Sequence, residues 1–578
     1  MKITHKNGNL NLTNLNQAVA IRGWVSKARN LGGVIFIDLR DKSGIVQLVV
    51  NPNNRYYNEA VKIRAEFVIY AKGTVIERSN KNKNIPTGEI EISVSFLEII
   101  NESQTPPIII SDNTDALEET RLKYRYLDLR RPVMQNYLIK RHEITQAIRG
   151  FLVENEFLEI ETPILAKSTP EGARDYLVPS RIYPGEFFAL PQSPQIFKQL
   201  FMVSGFEKYF QIARCFRDED LRADRQLEFT QVDIEMSFVD ELDVQNTIEQ
   251  LYGHVFKKVL NIDIPMPFPR ITYQDAMDKY GSDKPDMRYE LFIEDFSSEL
   301  ENIEMPLIKD CLDNGGVAKG LIIKNANTLT RKIIDELALL AKKYQATNLY
   351  WVKYQNNELS GPLAKFLDND FAKIKKLEND DLVLIVSEKN NNRTNTILGA
   401  LRINLAKRLA LIPENTYKFV WVIDWPLFDY DAETNNYAAA HHPFTLPKAS
   451  SIKAFINNPE EALACAYDIV INGHEAGGGS LRIYSQEMQE RMFQILGLSE
   501  AEISDRFGFF VNALRYGTPP HGGIALGLDR LIMLMTNTDN IKDVIAFPKT
   551  QSARCPMMDA PSKVSDLQLE ELKINFKK

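Results

Sequence analysis

Apolar and polar positions change their rhythm several times along this chain. Residues 19–100 hold five short β-type runs, AVAIRGWVSKA, VIFIDLR, IVQLVV, FVIYAKGTVI and EIEISVSFLEII, and residues 54–66 between the third and fourth predict a helix. Five strands with a helix after the third is the order of an OB-fold barrel, whose second and third strands commonly face an oligonucleotide. Along the second run Ile35, Ile37 and Leu39 share one face, and Val34, Phe36 and Asp38 share the other. An aromatic beside an Asp on a strand suits an open face that stacks on an unpaired base, with Gln47 on the next strand reading the base edge. Half-buried packing of Phe36 is the competing explanation.

Residues 136–155 turn to a helical period in Leu138, Ile144, Ile148 and Leu152, followed by the strand-like FLEIETPIL. A Gly/Pro-punctuated loop over 167–180 carries Glu171, Arg174 and Asp175. LPQSPQIFKQL then opens a helix with Ser193 as N-cap and Pro194 at its first position. Gln195 and Lys198 share a face of that helix, which by itself reads as an exposed polar surface.

Two β-type runs, 209–215 and 228–238, flank a charged segment and predict a hairpin. A solvated turn is the ordinary reading of such a segment. Asp233 and Glu235, however, alternate with apolar residues inside the second run, so one strand face carries carboxylates inward, where they need partners that a ligand could supply.

Residues 288–413 show regular αβ patterning without a polar cluster suited to catalysis, and read as an inserted accessory domain. Beyond them, FVWVIDWPLF is a buried strand pattern. His441 and His442 are adjacent and would point apart in extended chain, with no further His or Cys at ligand spacing, which excludes a zinc site. In AYDIVINGHEAGGGSLRIY, Asp468 and Glu475 could both reach a Mg²⁺ only if the chain bends between them, which Gly473 permits. HGGIALGLDRLIMLM reads as a glycine-rich turn into an apolar helix with Arg530 near its start.

Charge changes this picture in one respect. The net charge is -8, but residues 1–105 carry 14 Lys and Arg against 9 Asp and Glu. A basic module on an acidic body confines any polyanion contact to a local surface. RLKYRYLDLRR, with Arg121, Lys123, Arg125, Arg130 and Arg131 around Tyr124 and Tyr126, could track a phosphate backbone or form interdomain ion pairs. Four widely separated cysteines offer neither a disulfide framework nor a thiolate zinc site, in keeping with a cytoplasmic protein. No apolar run approaches membrane-spanning length, and the polar, Asn-rich first twenty residues carry no secretory signal.

Arginines, carboxylates and glycine-rich segments together suggest a nucleotide site. Neither GxxxxGK[ST] nor GxGxxG occurs, so ATP phosphates would be held by arginine forks and Mg²⁺.

FRDEDLRADRQLEFTQVDIE resembles motif 2 of class II aminoacyl-tRNA synthetases, GIALGLDR resembles motif 3, and the helix and strand ending at Pro163 resemble the dimer-forming motif 1. With TPEGARDYLVPS, QSPQIFKQ, HHPFT, GGGSLRI and the N-terminal module, the likeness narrows to the bacterial-type aspartyl-tRNA synthetases. It implies a multidomain α+β protein: OB-fold anticodon-binding domain 1–105, hinge 106–131, antiparallel-sheet catalytic domain 132–287 and 414–555, inserted α/β (GAD-type) domain 288–413, and C-terminal extension 556–578. It also implies a cytoplasmic homodimer without membrane contact, acting on L-aspartate, ATP and tRNA-Asp with Mg²⁺.

Carried onto matching positions, the resemblance gives Arg217 the ATP α-phosphate and the substrate carboxylate, and Glu219 and Gln226 the nucleotide. Phe229 stacks on adenine, the Gly527, Leu528, Asp529 and Arg530 segment closes on ATP, and Asp468 with Glu475 binds Mg²⁺. Arg217, Glu219 and Arg530 are the implied catalytic residues. Lys198 and Arg482 pair with the aspartate side chain, while Glu171, Ser193, Gln195, Asp233, His441 and His442 orient the amino acid. Phe36, Gln47 and Glu91 read the anticodon. Asparagine in the site would leave Lys198 and Arg482 without a countercharge, a penalty of several kcal/mol. Leu31, where relatives that also charge tRNA-Asn tend to carry His, favours strict tRNA-Asp charging. Competing readings are a non-discriminating tRNA(Asp/Asn) enzyme, an asparaginyl-tRNA synthetase and a catalytically inactive RNA-binding paralogue. A class I enzyme is excluded, since HIGH and KMSKS are absent.

Overall fold

The computed structural model describes residues 2–169, 173–221, 225–367, 370–431 and 436–576. Its contacts divide the chain into two compact units, Met1–Arg141 with Lys542–Lys563, and His142–Ile541 with Val564–Lys578. These divisions are drawn differently from the sequence boundaries: residues 106–131 and 542–563 group with the N-terminal barrel.

The first unit is built on a closed barrel of the strands Ala18–Leu31, Val34–Asp41, Gly44–Val50, Val68–Glu77 and Ile90–Asn101, with the third and fifth paired in parallel. Ile35, Ile37 and Leu39 fill its core, whereas Phe36 and Asp38 turn outward and stay half-buried. The helix before the fourth strand is Tyr57–Lys62, shorter than its pattern suggested. The basic segment forms two short helices whose arginines are spent on ion pairs. Arg121, Arg125 and Arg131 converge on the fully buried Asp128 at 3.0, 2.7 and 2.8 Å, and Arg130 pairs with Glu66 at 2.8 Å. A buried carboxylate needs such partners, and here one carboxylate takes three.

The second unit is organised by an eight-stranded sheet in the order Arg270–Thr272, Phe419–Ile423, Ala466–Ile471, His474–Leu481, His521–Gly527, Glu228–Ser237, Lys208–Phe216 and Leu158–Glu159. Neighbours run antiparallel except at the two edges. The expected hairpin is its seventh and sixth strands, with Asp233 opposite Gln211 and Ala525.

The glycine-rich stretch before Arg530 is a strand, His521–Gly527, rather than a turn; the helix Leu528–Met535 follows directly. Its glycines serve close approach. A Cβ on Gly523 would stand 2.0 Å from a Glu235 carboxylate oxygen, and one on Gly478 would stand 2.7 Å from an Asp468 oxygen. Bare backbone there leaves room for charged side chains on the sheet face.

The accessory region has its own antiparallel sheet, ordered Ile293–Asp295, Val317–Ile323, Asp381–Glu388, Tyr350–Gln355 and Glu358–Ser360. Its central strand is buried on both faces: Leu382, Leu384 and Val386 enter one core, and Val383 and Ile385 the other.

Candidate active site

Two cavities of about 210 and 430 Å³ lie against the large sheet and share Arg217, Glu219, Gln231, Glu475 and Ala525 in their walls. The smaller is lined by Gln226, Phe229, Gly527, Asp529 and Arg530 as well, so every expected ATP contact except Leu528 meets there. Leu528 is buried in the core and lines neither cavity. The Arg217 guanidinium lies 5.0 Å from the Phe229 ring centroid, covering an aromatic face with a cation. Glu219 pairs with Arg225 at 3.0 Å. Asp529 is a brace: its buried carboxylate accepts the Thr230 N–H at 2.7 Å, tying the sheet strand to the helix that carries Arg530. Arg530 in turn donates to the Glu475 carbonyl at 2.6 Å.

The larger cavity gathers Ser193, Gln195, Lys198, Asp233, His441, His442, Asp468, Glu475 and Arg482. The helix Gln195–Val203 starts at Gln195 with Pro194 as its cap residue, one position later than expected, and Ser193 Oγ accepts the Gln195 N–H at 3.2 Å. Its polar face is buried: Gln195 is 5% and Lys198 1% exposed, against the reading of an exposed surface. A bend at Ala440 and His441 brings both histidines to one cavity, where extended chain would have parted them.

Lys198 and Arg482 do not stand as unpaired cations. Lys198 lies 3.1 Å from Asp233 and 3.4 Å from Glu235, and Arg482 Nε donates to Glu235 at 3.0 Å. All four side chains are at most 3% exposed. The penalty expected for asparagine is corrected accordingly, because the countercharges are already in place on one strand face. Glu235 was missed as a site residue, although its alternation with Asp233 was the available signal.

Burial pushes the Asp233 carboxyl above the usual range, with Lys198 only partly opposing it. Burial acts on Glu235 in the same direction, but Arg482 and Lys198 outweigh it and hold Glu235 low. Among the described residues, Asp233 Oδ2, Gln195 Nε2 and Arg217 Nε are buried without a hydrogen-bond partner. Each is a group whose desolvation a ligand would offset.

The turn at Asn472 and Gly473, both with positive φ, folds Asp468 and Glu475 onto the same cavity. His441 Nε2 meets Asp468 Oδ1 at 3.1 Å. Burial pushes Asp468 up to about 6; His441 opposes the shift, and Glu475 and Asp283 add to it. Burial also raises Glu475, but Lys284 and Arg530 outweigh it and leave Glu475 below its ordinary value. No group of three or more His, Cys, Asp and Glu among the described residues could hold a metal alone. Two carboxylates beside a nucleotide cavity do fit Mg²⁺, which keeps waters and takes further oxygens from phosphates. Asp283 and Lys284 also escaped notice, since nothing in their spacing linked them to Asp468 and Glu475, far along the chain.

The model of class II tRNA synthetases (D, K and N) matches residues 117–551, and that of the OB-fold nucleic acid binding domain matches residues 19–100. The chain belongs to the class II tRNA synthetases. The synthetase is 53% identical to the aspartate–tRNA(Asp/Asn) ligase of Caldanaerobacter subterraneus, over 100% of this chain and 98% of that one. It is equally 53% identical to the aspartate–tRNA ligase of Geobacillus kaustophilus, over 99% and 98%. Among solved structures it is similar in fold to the asparaginyl-tRNA synthetase of Pyrococcus horikoshii in complex with asparaginyl-adenylate. That likeness has a TM-score of 0.59 and 19% identity, covering 93% of this chain and 96% of that one.

The remaining expected residues lie in the synthetase's barrel. Gln47 and Glu91 are buried, at 3% and 6% exposed, and Leu31 is 62% exposed. Gln47 Nε2 donates to Glu91 at 2.7 Å, and its Oε1 accepts from Arg78 at 2.8 Å and Arg29 at 3.4 Å. Arg29 also grips Asp38 at 2.8 Å. The amide is thus fixed in one orientation with a single N–H left over. Arg29 and Arg78 are additions to the sequence reading; their register beside Gln47 exists only in the closed barrel. Glu171 of the aspartate set lies outside the described residues. Among the described residues, no helix is long and apolar enough to cross a membrane.

Proposed function

We propose that this chain is an aspartate–tRNA ligase that joins L-aspartate to ATP, releasing pyrophosphate, and then transfers aspartate to the 3′ end of tRNA-Asp. The observation that carries the reading is the buried group of Lys198, Asp233 and Arg482, with Glu235 paired behind them, lining a cavity that shares a wall with one suited to adenine and phosphates.

The aspartate side chain would take the remaining donors of Lys198 and Arg482. Its ammonium suits the orphaned Asp233 Oδ2, and its α-carboxylate suits Gln195 Nε2 and Arg217. Asparagine would turn an amide NH₂ toward two cations that are donors only, so its rejection rests on mismatched hydrogen bonding rather than on uncompensated charge. The α-carboxylate is ionised at pH 7 and attacks the α-phosphorus, forming a C–O–P linkage as the bond to the β-phosphate oxygen breaks. No protein base is needed for this step. Arg217, lining both cavities, meets the phosphorus oxygens where charge develops, and positioning supplies most of the rest. Mg²⁺, held by Asp468 and Glu475, would screen the polyphosphate. In the second step the terminal ribose hydroxyl of tRNA attacks the aspartyl carbonyl and AMP leaves.

Phe36 is assigned to base stacking, and Gln47, steadied by Glu91, to base-edge reading. Leu31 projects from the barrel and favours tRNA-Asp alone; relatives that are named for both tRNAs support the wider, non-discriminating reading. We assign a homodimer through the helix Pro132–Glu154 and the edge strand Leu158–Glu159, and a cytoplasmic location. The test is charging of purified tRNA-Asp and tRNA-Asn separately with aspartate and asparagine. Aspartate on tRNA-Asp is expected. Its absence overturns the reading, and aspartate on both tRNAs selects the non-discriminating form.

A further inference from the structure

We propose that Lys284 is the positioning residue for Glu475, and that the accessory insertion holds Lys284 in place. The inference rests on the ligase reading, in which Glu475 meets the metal and nucleotide.

Residues 281–288 run from the end of the helix Tyr273–Tyr280 toward the accessory sheet, passing the rim of the larger cavity. Asp283 lines that cavity. Lys284 Nζ lies 3.3 Å from Glu475 Oε2, the one ion pair that Glu475 makes among the described residues. Glu475 stands in the wall of the smaller cavity, so its carboxylate direction bears on the metal and the nucleotide. A carboxylate that ligates a metal is aimed by what holds its other oxygen, and losing such a partner weakens metal binding.

The strap is pinned from both sides. Toward the hairpin, Asp286 sits so close that a Cβ on Gly473 would stand 3.1 Å from its own Cβ, and Arg288, gripped by Asp286 at 2.6 Å, reaches the Asn472 carbonyl at 3.5 Å. Toward the insertion, Arg402 of the helix Asn391–Arg408 is 1% exposed and donates to the Asp286 carbonyl at 2.8 Å, the Leu291 carbonyl at 2.6 Å and the Tyr289 hydroxyl at 2.9 Å. A buried guanidinium satisfied by strap backbone fixes that backbone, because each carbonyl left unmet would carry a desolvation penalty. The same helix touches the strap's first residue: a Cβ on Gly399 would stand 2.3 Å from the Gly281 carbonyl oxygen. Asp278, one turn earlier, is held by Lys319 and Asn395 of the insertion at 2.8 and 3.0 Å. Among the described residues, this strap links the insertion to the hairpin that carries Asp468 and Glu475, and Lys284 is its contact with the Glu475 carboxylate.

The experiment uses the full chain and the Lys284→Met variant. Mn²⁺ binding, followed by electron paramagnetic resonance with a non-hydrolysable ATP analogue, is expected to weaken about tenfold or more. The KM for ATP rises while the KM for aspartate stays put. Affinity for a non-hydrolysable aspartyl-adenylate analogue, measured by calorimetry without metal, is unchanged, and Lys284→Arg restores most of the loss. Gly399→Ala, remote from the cavity, shifts Mn²⁺ binding in the same direction by less. Unchanged or tighter Mn²⁺ binding in Lys284→Met overturns the positioning role, as does equal weakening of the adenylate analogue. Unchanged Mn²⁺ binding in a folded Gly399→Ala overturns the insertion's part. A wild-type protein that binds Mn²⁺ and nucleotide but not the aspartyl-adenylate analogue overturns the ligase reading instead.

Discussion

The barrel and the catalytic sheet each carry a polar network on strand faces, built from similar residues under different solvation. In the barrel, Arg29 and Asp38 keep 33% and 21% of their side-chain surface in solvent around the buried Gln47. In the sheet, Lys198, Asp233, Glu235 and Arg482 keep at most 3%. Exposed pairs are worth little and exchange partners cheaply, which suits a surface that has to accept and release RNA. Buried pairs are expensive to break, which suits a pocket that has to hold one amino acid in one pose. In the proposed ligase, burial, more than residue type, separates a reading surface from a discriminating pocket.

The largest effect is expected from Glu235→Gln, which removes the countercharge shared by Lys198 and Arg482. Breaking a buried pair from one side costs about 3–5 kcal/mol. Chemical denaturation should show that loss of stability, and aspartate-dependent pyrophosphate exchange should vanish. A near-neutral result would mean that the sheet network is no more committed than the barrel's.

Next, Arg482→Leu should abolish aspartate activation while ATP binding, followed by calorimetry, persists, because Arg482 lines only the larger cavity. Intact exchange in that variant would break the assignment of the two cavities.

Asp468 provides a smaller effect with a defined sign. Its folded pKa of about 6 lies above the ordinary 3.8, so the folded protein holds a proton that the unfolded chain has already lost. The stability tied to that proton is full below about pH 4 and is lost as pH rises through about 6. In the metal-free protein Asp468→Asn should therefore remove part of the stability loss between about pH 4 and 6, read from denaturation midpoints across that window. Identical pH profiles for the two proteins would contradict it.

The smallest change is expected in the barrel. Gln47→Ala should weaken tRNA-Asp binding by about 1–3 kcal/mol, the scale of one base-edge contact, and leave aspartate-dependent exchange untouched. Filter binding at two salt concentrations checks it; a matching loss of exchange would show that the two networks do not act separately.

Much of the fold was legible because it follows local period. The second barrel strand alternates every second residue and the strand at 419–423 is a continuous apolar run, and backbone geometry turns the first pattern into two faces and the second into a strand covered on both. Motif order in the chain was equally local information; through the resemblance it singled out Arg217, Gln226, Phe229 and Arg530, which the structure brings to the wall of one cavity. The glycines of 521–527 misled because glycine marks both turns and places of close approach, and only the neighbouring strand shows which applies.

What the sequence by itself determined is the inventory: which charges exist, on which strand face, and in what order. Only the tertiary structure decided their partners. Asp233 and Glu235 were visible as inward carboxylates, but Lys198 lies 35 positions from Asp233 and Arg482 lies 247 from Glu235, so their pairing appeared only once a helix and a distant strand met them. Asp283 and Lys284 drew no reading from the sequence for the same reason. Coulomb interaction and desolvation depend on distance in space and on the water between groups, and neither quantity is written along a chain.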